Sequence, residues 1–348
     1  MNTSVLYALV AAALFGASTP LAKWLGTEIP PVMLAGLLYL GSGLGLLGVR
    51  CIRDRGWKAS GLSAGEWPWL VGAIVFGGVL GPVALMAGLT LTSGATASLM
   101  LNLEPVLTAL LAWAVFKENA DRRIVLGMLA IIVGGIVLSW PTGEVPGETH
   151  SWLGPLAVAF ACLCWAVDNN LTRKVSASDA LYIAGAKGLF AGLVNCTIAL
   201  TLGATWVPLP ILTPTLLIGF LGYGVSLVLF VLALRGLGAA RTGAYFSTAP
   251  FLGAALSILV LGESVSPLFW LAAACMGVGV WLHLTESHDH SHEHHRQEHT
   301  HRHTHDEHHQ HVHADGESSE APHSHPHVHL PVRHNHPHFP DIHHRHRH

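Results

Sequence analysis

The chain has 348 residues, of which 51% are hydrophobic and only 11% charged, a balance outside the range of ordinary soluble domains. Its formal net charge of −3 hides an uneven distribution. The stretch from Glu286 to the end holds ten acids and five arginines, or −5, which leaves +2 for the remainder and no basic field for nucleic acid.

Ten apolar segments follow one another: Val5–Leu25, Val32–Val49, Trp67–Leu89, Ser93–Phe116, Ile124–Trp140, Trp152–Leu171, Leu181–Gly203, Leu212–Leu234, Ala239–Leu261 and Pro267–Leu284. Most have the length that crosses a hydrocarbon core of about 30 Å. Backbone polar groups in lipid must be satisfied within the segment, so helices are expected. The start, MNTS, lacks the basic residues of a cleaved signal, and the first segment is expected to be retained.

The connections carry an orientation signal. Arg50, Arg53, Arg55 and Lys58 lie between segments two and three, and Lys117, Arg122 and Arg123 between four and five. Arg173 and Lys174 follow segment six, and Arg235 and Arg241 flank the connection from eight to nine. The five–six and seven–eight connections have no Lys or Arg. The positive-inside rule therefore predicts a multi-pass inner (plasma) membrane protein with both termini cytoplasmic. Lys23, near the outer end of segment one, is the exception.

The fourth segment has a twin. SGATASLMLNLEPVLTALLAWAVFKE (93–118) aligns with GAARTGAYFSTAPFLGAALSILVLGE (238–263), which sets Pro105 on Pro250 and Glu118 on Glu263, both 145 residues apart. LFGASTPLAKW (14–24) likewise matches CWAVDNNLTRK (164–174). Five helices per half is an odd number, so the halves must sit inverted in the membrane. The fold class expected is an all-α polytopic membrane protein of two inverted five-helix repeats, residues 1–145 and 146–286, with a disordered His-rich tail over 287–348. Inverted repeats with polar groups near the midplane are the layout of secondary transporters.

These residues resemble the drug/metabolite transporter superfamily, specifically its EamA-type members. FGASTPLAKW, TASLMLNLEPVLTALLAWAVFKE, CWAVDNNLTRK and AARTGAYFSTAPFLGAALSILVLGE carry the resemblance, in order and in duplicate, over about residues 1–286. It implies ten helices in two halves and transport of a small organic solute, with the solute open. The tail is not part of the family pattern.

Glu104 is the leading candidate for the chemistry. It lies roughly 17 Å from either end of its segment, near the midplane, where a charge is costly and usually faces a cavity. It could take up a proton or cation as a cavity alternates; the alternative is a locally hydrogen-bonded Glu beside a helix-bending Pro105. Asn102, about 200° around the helix from Glu104, is expected to face another helix. Asp168 sits deeper than Asn169 and Asn170, which either line the cytoplasmic mouth of a cavity or, the favoured reading, emerge into the headgroups. Lys187 lies roughly 9 Å into segment seven. A buried ammonium needs a partner, and Asp168 is the nearest in depth, as an inner gate or as a static pair. Asn195 is expected to bond between helices or to substrate. Ser18 and Thr19 before Pro20, and Tyr245 and Ser247 before Pro250, could line a cavity or satisfy carbonyls freed by proline. Glu118 and Glu263 read as structural, each needing a partner at a helix C-terminus. Gly41 and Gly45 read as close helix packing. The five cysteines lie in or beside apolar segments and read as small buried residues; Cys162 and Cys164 are poorly placed to chelate.

Of 26 histidines, 24 fall between His288 and His348. The units His301-x-His303-x-His305 and His323-x-His325-x-His327-x-His329 put imidazoles on one side of an extended chain, a donor set for zinc, nickel or cobalt. Metal capture or sensing stands beside a plain solvated extension. No nucleophile–base pair, phosphate loop or zinc-enzyme motif stands out, so an enzyme is not expected and no cofactor is required. The expected partners are the lipid bilayer, a small-molecule substrate, metal ions on the tail and a second copy of the chain, with no nucleic acid. The leading function is export of a small organic metabolite by alternating access with proton coupling. Divalent metal (Ni/Co/Zn) export, or a metal-buffering or sensing membrane protein, is the alternative.

Overall fold

A computed structural model describes residues 3–56, 59–116, 122–140, 152–175, 178–237, 242 and 245–284, together with four short stretches of the tail, 291–294, 297–303, 323–329 and 332–335. Within the described residues, each of the ten apolar segments is helical over most of its length. The first two spans are α1 (Thr3–Leu25) and α2 (Pro31–Arg53). The third is α3 (Trp67–Ala73), a wide π-helical turn (Ile74–Leu80) and α4 (Gly81–Leu91). The fourth breaks into α5 (Gly94–Met100) and α6 (Leu103–Phe116), and the fifth is α7 (Arg122–Leu138). The second half runs α8 (Leu153–Thr172), α9 (Ala180–Thr201), then α10 (Leu209–Gly219), a second wide turn (Phe220–Val225) and α11 (Ser226–Leu237). It closes with α12 (Ala249–Leu261) and α13 (Pro267–Leu284). Among the described residues, six helices are by length and composition long and apolar enough to cross a membrane, and three shorter apolar ones accompany them.

The two halves repeat each other in contacts as well as in sequence. α2 packs along α9, and α7 along α13, so equivalent spans two and seven, and five and ten, meet in pairs. The contact of α8 with α4 is matched by that of α1 with α11, and the contact of α8 with α6 by that of α1 with α12. Such exchange of partners is what a two-fold relation between inverted halves produces.

The close pairs are made by small residues. Without a hydrophobic drive between helices in lipid, backbones must approach closely for packing to hold them together. A Cβ on Gly36 would come within 2.7 Å of the Cys196 backbone nitrogen, and one on Gly188 within 2.5 Å of the Gly43 nitrogen, both in the α2–α9 seam. Gly41 faces the Leu216 backbone and Gly45 the Phe220 ring, as the small-x-x-x-small spacing predicts. Large apolar side chains point the other way: Leu126, Leu129, Val133 and Ile136 form an exposed stripe on α7, and Leu153, Leu156, Phe160 and Leu163 one on α8. In water such faces would be a liability; in lipid they are the solvated surface.

Both broken spans carry a proline just after the break. Leu101 and Asn102 turn ahead of Pro105, and Ser247 and Thr248 turn ahead of Pro250. The ring cannot donate a backbone hydrogen bond and crowds the preceding turn, so the helix restarts there. Gly262 ends α12 in the left-handed region, at φ 68°, a conformation that costs glycine little.

The tail forms a compact unit of its own over Ser287–His348. Within it the structure describes four short stretches, β1 (Ser291–His294), β2 (Gln297–His303), β3 (His323–His329) and β4 (Val332–Asn335). β1 pairs antiparallel with β4, and β2 with β3. His305 lies outside the described residues.

Candidate functional site

The site is built where the broken fourth span meets α8. Glu104 opens α6 and is half-buried near the middle of its span. Asn169 on α8 donates to Glu104 Oε1 at 2.5 Å and lies 3.4 Å from Thr108 Oγ1. Asn170, next to it, donates to the Ala166 carbonyl at 2.8 Å. Asn169 is exposed on α8 and reaches Glu104 from there.

Next to Asn169 on α8, Asp168 is 6% exposed, and Lys187 of α9 is 9% exposed. The Lys187 ammonium donates to both Asp168 oxygens at 2.6 Å and lies 3.3 Å from Thr172 Oγ1. Thr172 in turn donates to Asp168 Oδ1 at 2.8 Å. The pairing anticipated from depth alone is therefore present, and it ties α8 to α9. Space for it is made by Gly77, where any Cβ would collide with the Asp168 carboxylate.

Gly77 lies in the wide turn of the third span, and this turn explains several polar side chains at once. A π-helical turn misaligns the i→i−4 ladder and leaves carbonyls to be satisfied by other partners. Tyr39 Oη donates to the Gly77 carbonyl at 2.7 Å, and Trp165 Nε1 donates to the same carbonyl at 3.0 Å. Asn195 Nδ2 donates to the Gly78 carbonyl at 2.9 Å. Asn195 thus bonds between helices, one of the two roles open to it. Sequence reasoning passed over the wide turn; the Gly77–Gly78 pair flanked by β-branched and aromatic residues is the only signal it leaves.

Beyond Trp165 the polar site passes into an aromatic group. Phe15 of α1 stands edge-on to Trp165 at 6.5 Å and to Tyr223 at 6.0 Å, and 5.4 Å from Phe246. Tyr39 and Tyr223 are 5.4 Å apart, and Phe230 and Phe246 4.8 Å. Phe15, Tyr39, Tyr223, Phe230 and Phe246 are all half-buried although each meets rings from other spans. Tyr223 belongs to the second wide turn. Apolar rings flanked by a few convergent polar groups, drawn from both halves, have the character of a small-molecule site.

The other candidates are placed elsewhere. Asn102 is fully buried and donates to the Leu99 carbonyl at 3.0 Å, with Met276 Sδ of α13 at 4.0 Å; it faces another helix, as its angular offset from Glu104 predicts. Ser18 is buried and donates back to the Phe15 carbonyl at 2.6 Å, the role of a hydroxyl beside a proline. Thr19 is buried, and Tyr245 and Ser247 are half-buried at the break of the ninth span. Lys23 donates to the carbonyls of Leu89 and, at 2.7 Å, of Thr92, closing the C-terminal end of α4. At the same end Glu263 accepts from the Gly94 and Ala95 nitrogens at 2.9 and 2.8 Å, which supplies the partner its position calls for. Its repeat equivalent, Glu118, lies outside the described residues. At the opposite end of the bundle Arg50 and Arg53 donate to Asp179 at 3.0 and 2.6 Å. Burial opposes charge on Asp179, but hydrogen bonds from Arg53 and then Arg50 outweigh it and hold the carboxyl down at about 2. Among the described residues no group of three or more His, Cys, Asp or Glu is placed to hold a metal ion.

Comparison with known proteins agrees with this architecture. The pattern of the EamA-like transporter family matches twice, over residues 2–140 and 152–285, and so stops short of the tail. An uncharacterized transporter of Methanothermobacter thermautotrophicus is 27% identical over 292 residues, covering 79% of this chain and 84% of that protein. The uncharacterized transporter YyaM of Bacillus subtilis is 24% identical over 257 residues, 70% of this chain and 82% of its own. One crystal structure superposes with a TM-score of 0.59 at 21% identity, covering 80% of this chain and 95% of that one, a likeness of fold.

Proposed function

This chain belongs to the EamA-like transporter family, and we propose that it exports a small organic metabolite by alternating access, coupled to protons through Glu104. The observation that carries the reading is the contact of Glu104 with Asn169. A half-buried carboxylate at a helix break near the midplane, held by a neutral amide donor, can exchange a proton as its surroundings change. The aromatic group beside it would contact the apolar body of a solute, and Asn169 and Thr108 its polar groups. Asp168–Lys187 closes the side where the basic connections lie, which the positive-inside rule assigns to the cytoplasm. Glu263 on the 94–95 backbone closes the other side. Opening to either side then needs one of these contacts to part.

The test is growth of a deletion strain across a panel of toxic metabolites, amino-acid analogues and metals, complemented by the intact chain or by Glu104→Gln. Rescue against an organic solute by the intact chain, and its loss with Glu104→Gln at equal membrane abundance, is the expected result. Rescue that is independent of residue 104 would remove Glu104 from the mechanism. A phenotype confined to metals would overturn the organic-solute reading.

A further inference from the structure

Among the described residues, six buried side-chain oxygens have no hydrogen-bond partner: those of Ser98, Asn102, Ser178, Asn195, Thr242 and Ser257. Ser98, Asn102, Thr242 and Ser257 belong to spans four and nine, the two that are broken. Ser98 of α5 and Ser257 of α12 meet each other's helix across one seam. A Cβ on Gly253 would come within 2.8 Å of Ser98 Oγ, and one on Gly94 within 2.8 Å of Ser257 Oγ. Residue 94 thus lies against 257 and 98 against 253, an antiparallel register. Gly94 and Ser98 are one helical turn apart on one face, as are Gly253 and Ser257. Ser98 is 1% exposed and Ser257 0%. Each hydroxyl lies against an opposed glycine and bonds to nothing.

We propose that the α5–α12 seam is where the chain opens on the side of Glu263, and that the Ser98 and Ser257 hydroxyls set how readily it opens. The inference rests on the alternating-access reading above. A buried hydroxyl without a partner carries a desolvation penalty that the same hydroxyl in water does not. When the helices part, water reaches both hydroxyls and the penalty disappears, so they raise the closed state relative to the open one. Alanine at either position would pack against the opposed glycine without that penalty, so close packing alone does not call for serine. Glu263 acts with the opposite sign. The Gly94 and Ala95 nitrogens donate to it at 2.9 and 2.8 Å, bonds that exist only while the seam is closed. Small residues give the rest of the seam close contact but no directed bond. The α2–α9 seam is also lined by glycines, but Arg50 and Arg53 tie it to Asp179. The α5–α12 seam is instead held at its end by one carboxylate and weakened within by two hydroxyls, which brings its two states near enough in free energy to exchange.

The experiment uses the full chain in lipid nanodiscs, which leave both faces open to reagent. A thiol is placed in the seam by Ser257→Cys or by Ser98→Cys, and its reaction with N-ethylmaleimide is followed by mass spectrometry of the peptide that carries it. Labelling of the denatured chain gives the reference rate. When reclosing outruns labelling, the rate reads the population of the open state. Ser98→Ala should slow labelling at residue 257, and Ser257→Ala at residue 98, each by at least about fivefold, the low end for an unpartnered buried hydroxyl. Glu263→Ala should speed labelling at residue 98. Labelling unchanged or faster in both alanine variants would overturn the proposal. So would residues 98 and 257 that stay unlabelled in every variant, Glu263→Ala included, because the seam would then not open. The readout is opening and not export, so a result against the hydroxyls leaves the organic-solute reading standing, and failure of that reading in the growth test leaves the labelling result standing.

Discussion

The Asp168–Lys187 pair lends itself to a quantitative test through Lys187→Met, which keeps the length of the stem and removes the charge. At 2.6 Å the direct attraction is about 6 kcal/mol at an effective dielectric of about 20, before the cost of taking both ions out of water is counted. Because desolvation cancels much of that, the measurable quantity is the cost of leaving one ion alone, about 3–5 kcal/mol for a buried pair. Asp168 retains the Thr172 hydroxyl at 2.8 Å in this variant, which places the expected loss at the lower end, about 3 kcal/mol. Adding Asp168→Asn removes the stranded charge and should recover most of the loss. Unfolding of the three proteins in mixed micelles, followed by tryptophan fluorescence, gives the stabilities; transport in the complemented strain gives the function. If Lys187→Met were as stable as the native chain within about 0.5 kcal/mol, the pair would not be joining α8 to α9. If the double variant regained stability and also transported normally, the pair would be a static brace and not a gate.

Two further outcomes follow from contacts at opposite ends of the bundle. Glu263→Ala leaves the Gly94 and Ala95 nitrogens without their acceptor and should destabilise the chain by about 1–2 kcal/mol, in the range of a lost helix cap, measured in the same micelle assay. Asp179→Asn keeps an oxygen for the Leu181 nitrogen, so it isolates the charge. The Asp179 carboxyl is held at about 2, below the ordinary value of about 3.9, so its contribution is fully present above that value and is lost as pH falls from about 4 through 2. The native chain should therefore exceed the variant in stability at neutral pH, and the difference should vanish across that window. A difference that is constant with pH would refute the charge argument.

Much of this was legible in the sequence because lipid leaves few options. Apolar runs of the right length had to be helices, and the match of Pro105 with Pro250 located both broken spans. Depth along α8 and α9 was enough to pair Asp168 with Lys187, since a buried ammonium has few partners to choose from. The angle between Asn102 and Glu104 was enough to send Asn102 to a neighbouring helix. What escaped was geometry that leaves little trace in composition. The Gly77–Gly78 pair is compatible with an ordinary helix, so the wide turn, and with it the carbonyls that Tyr39, Trp165 and Asn195 hold, could not be read in advance. Hydropathy likewise locates where a helix becomes polar but not which neighbour its polar end meets, so the contact of Asn169 with Glu104 left no trace in the pattern.

The wide turns at Ile74–Leu80 and Phe220–Val225 have a consequence for how these two spans can be altered. Each accommodates one residue more than a regular helix would, and one residue corresponds to about 100° of rotation. Each span is thus two helical segments with a phase slip between them. The face that α3 turns to lipid and the face that α4 turns to α8 are in step only because of it. Deleting one residue from 74–80 would let the helix regularise and swing Trp67, Trp69 and Val71 off the lipid surface, whereas most substitutions there would leave the phase intact. The same slip recurs at the matching place in the other half, so the two halves share not only a pattern of residues but a common error in winding.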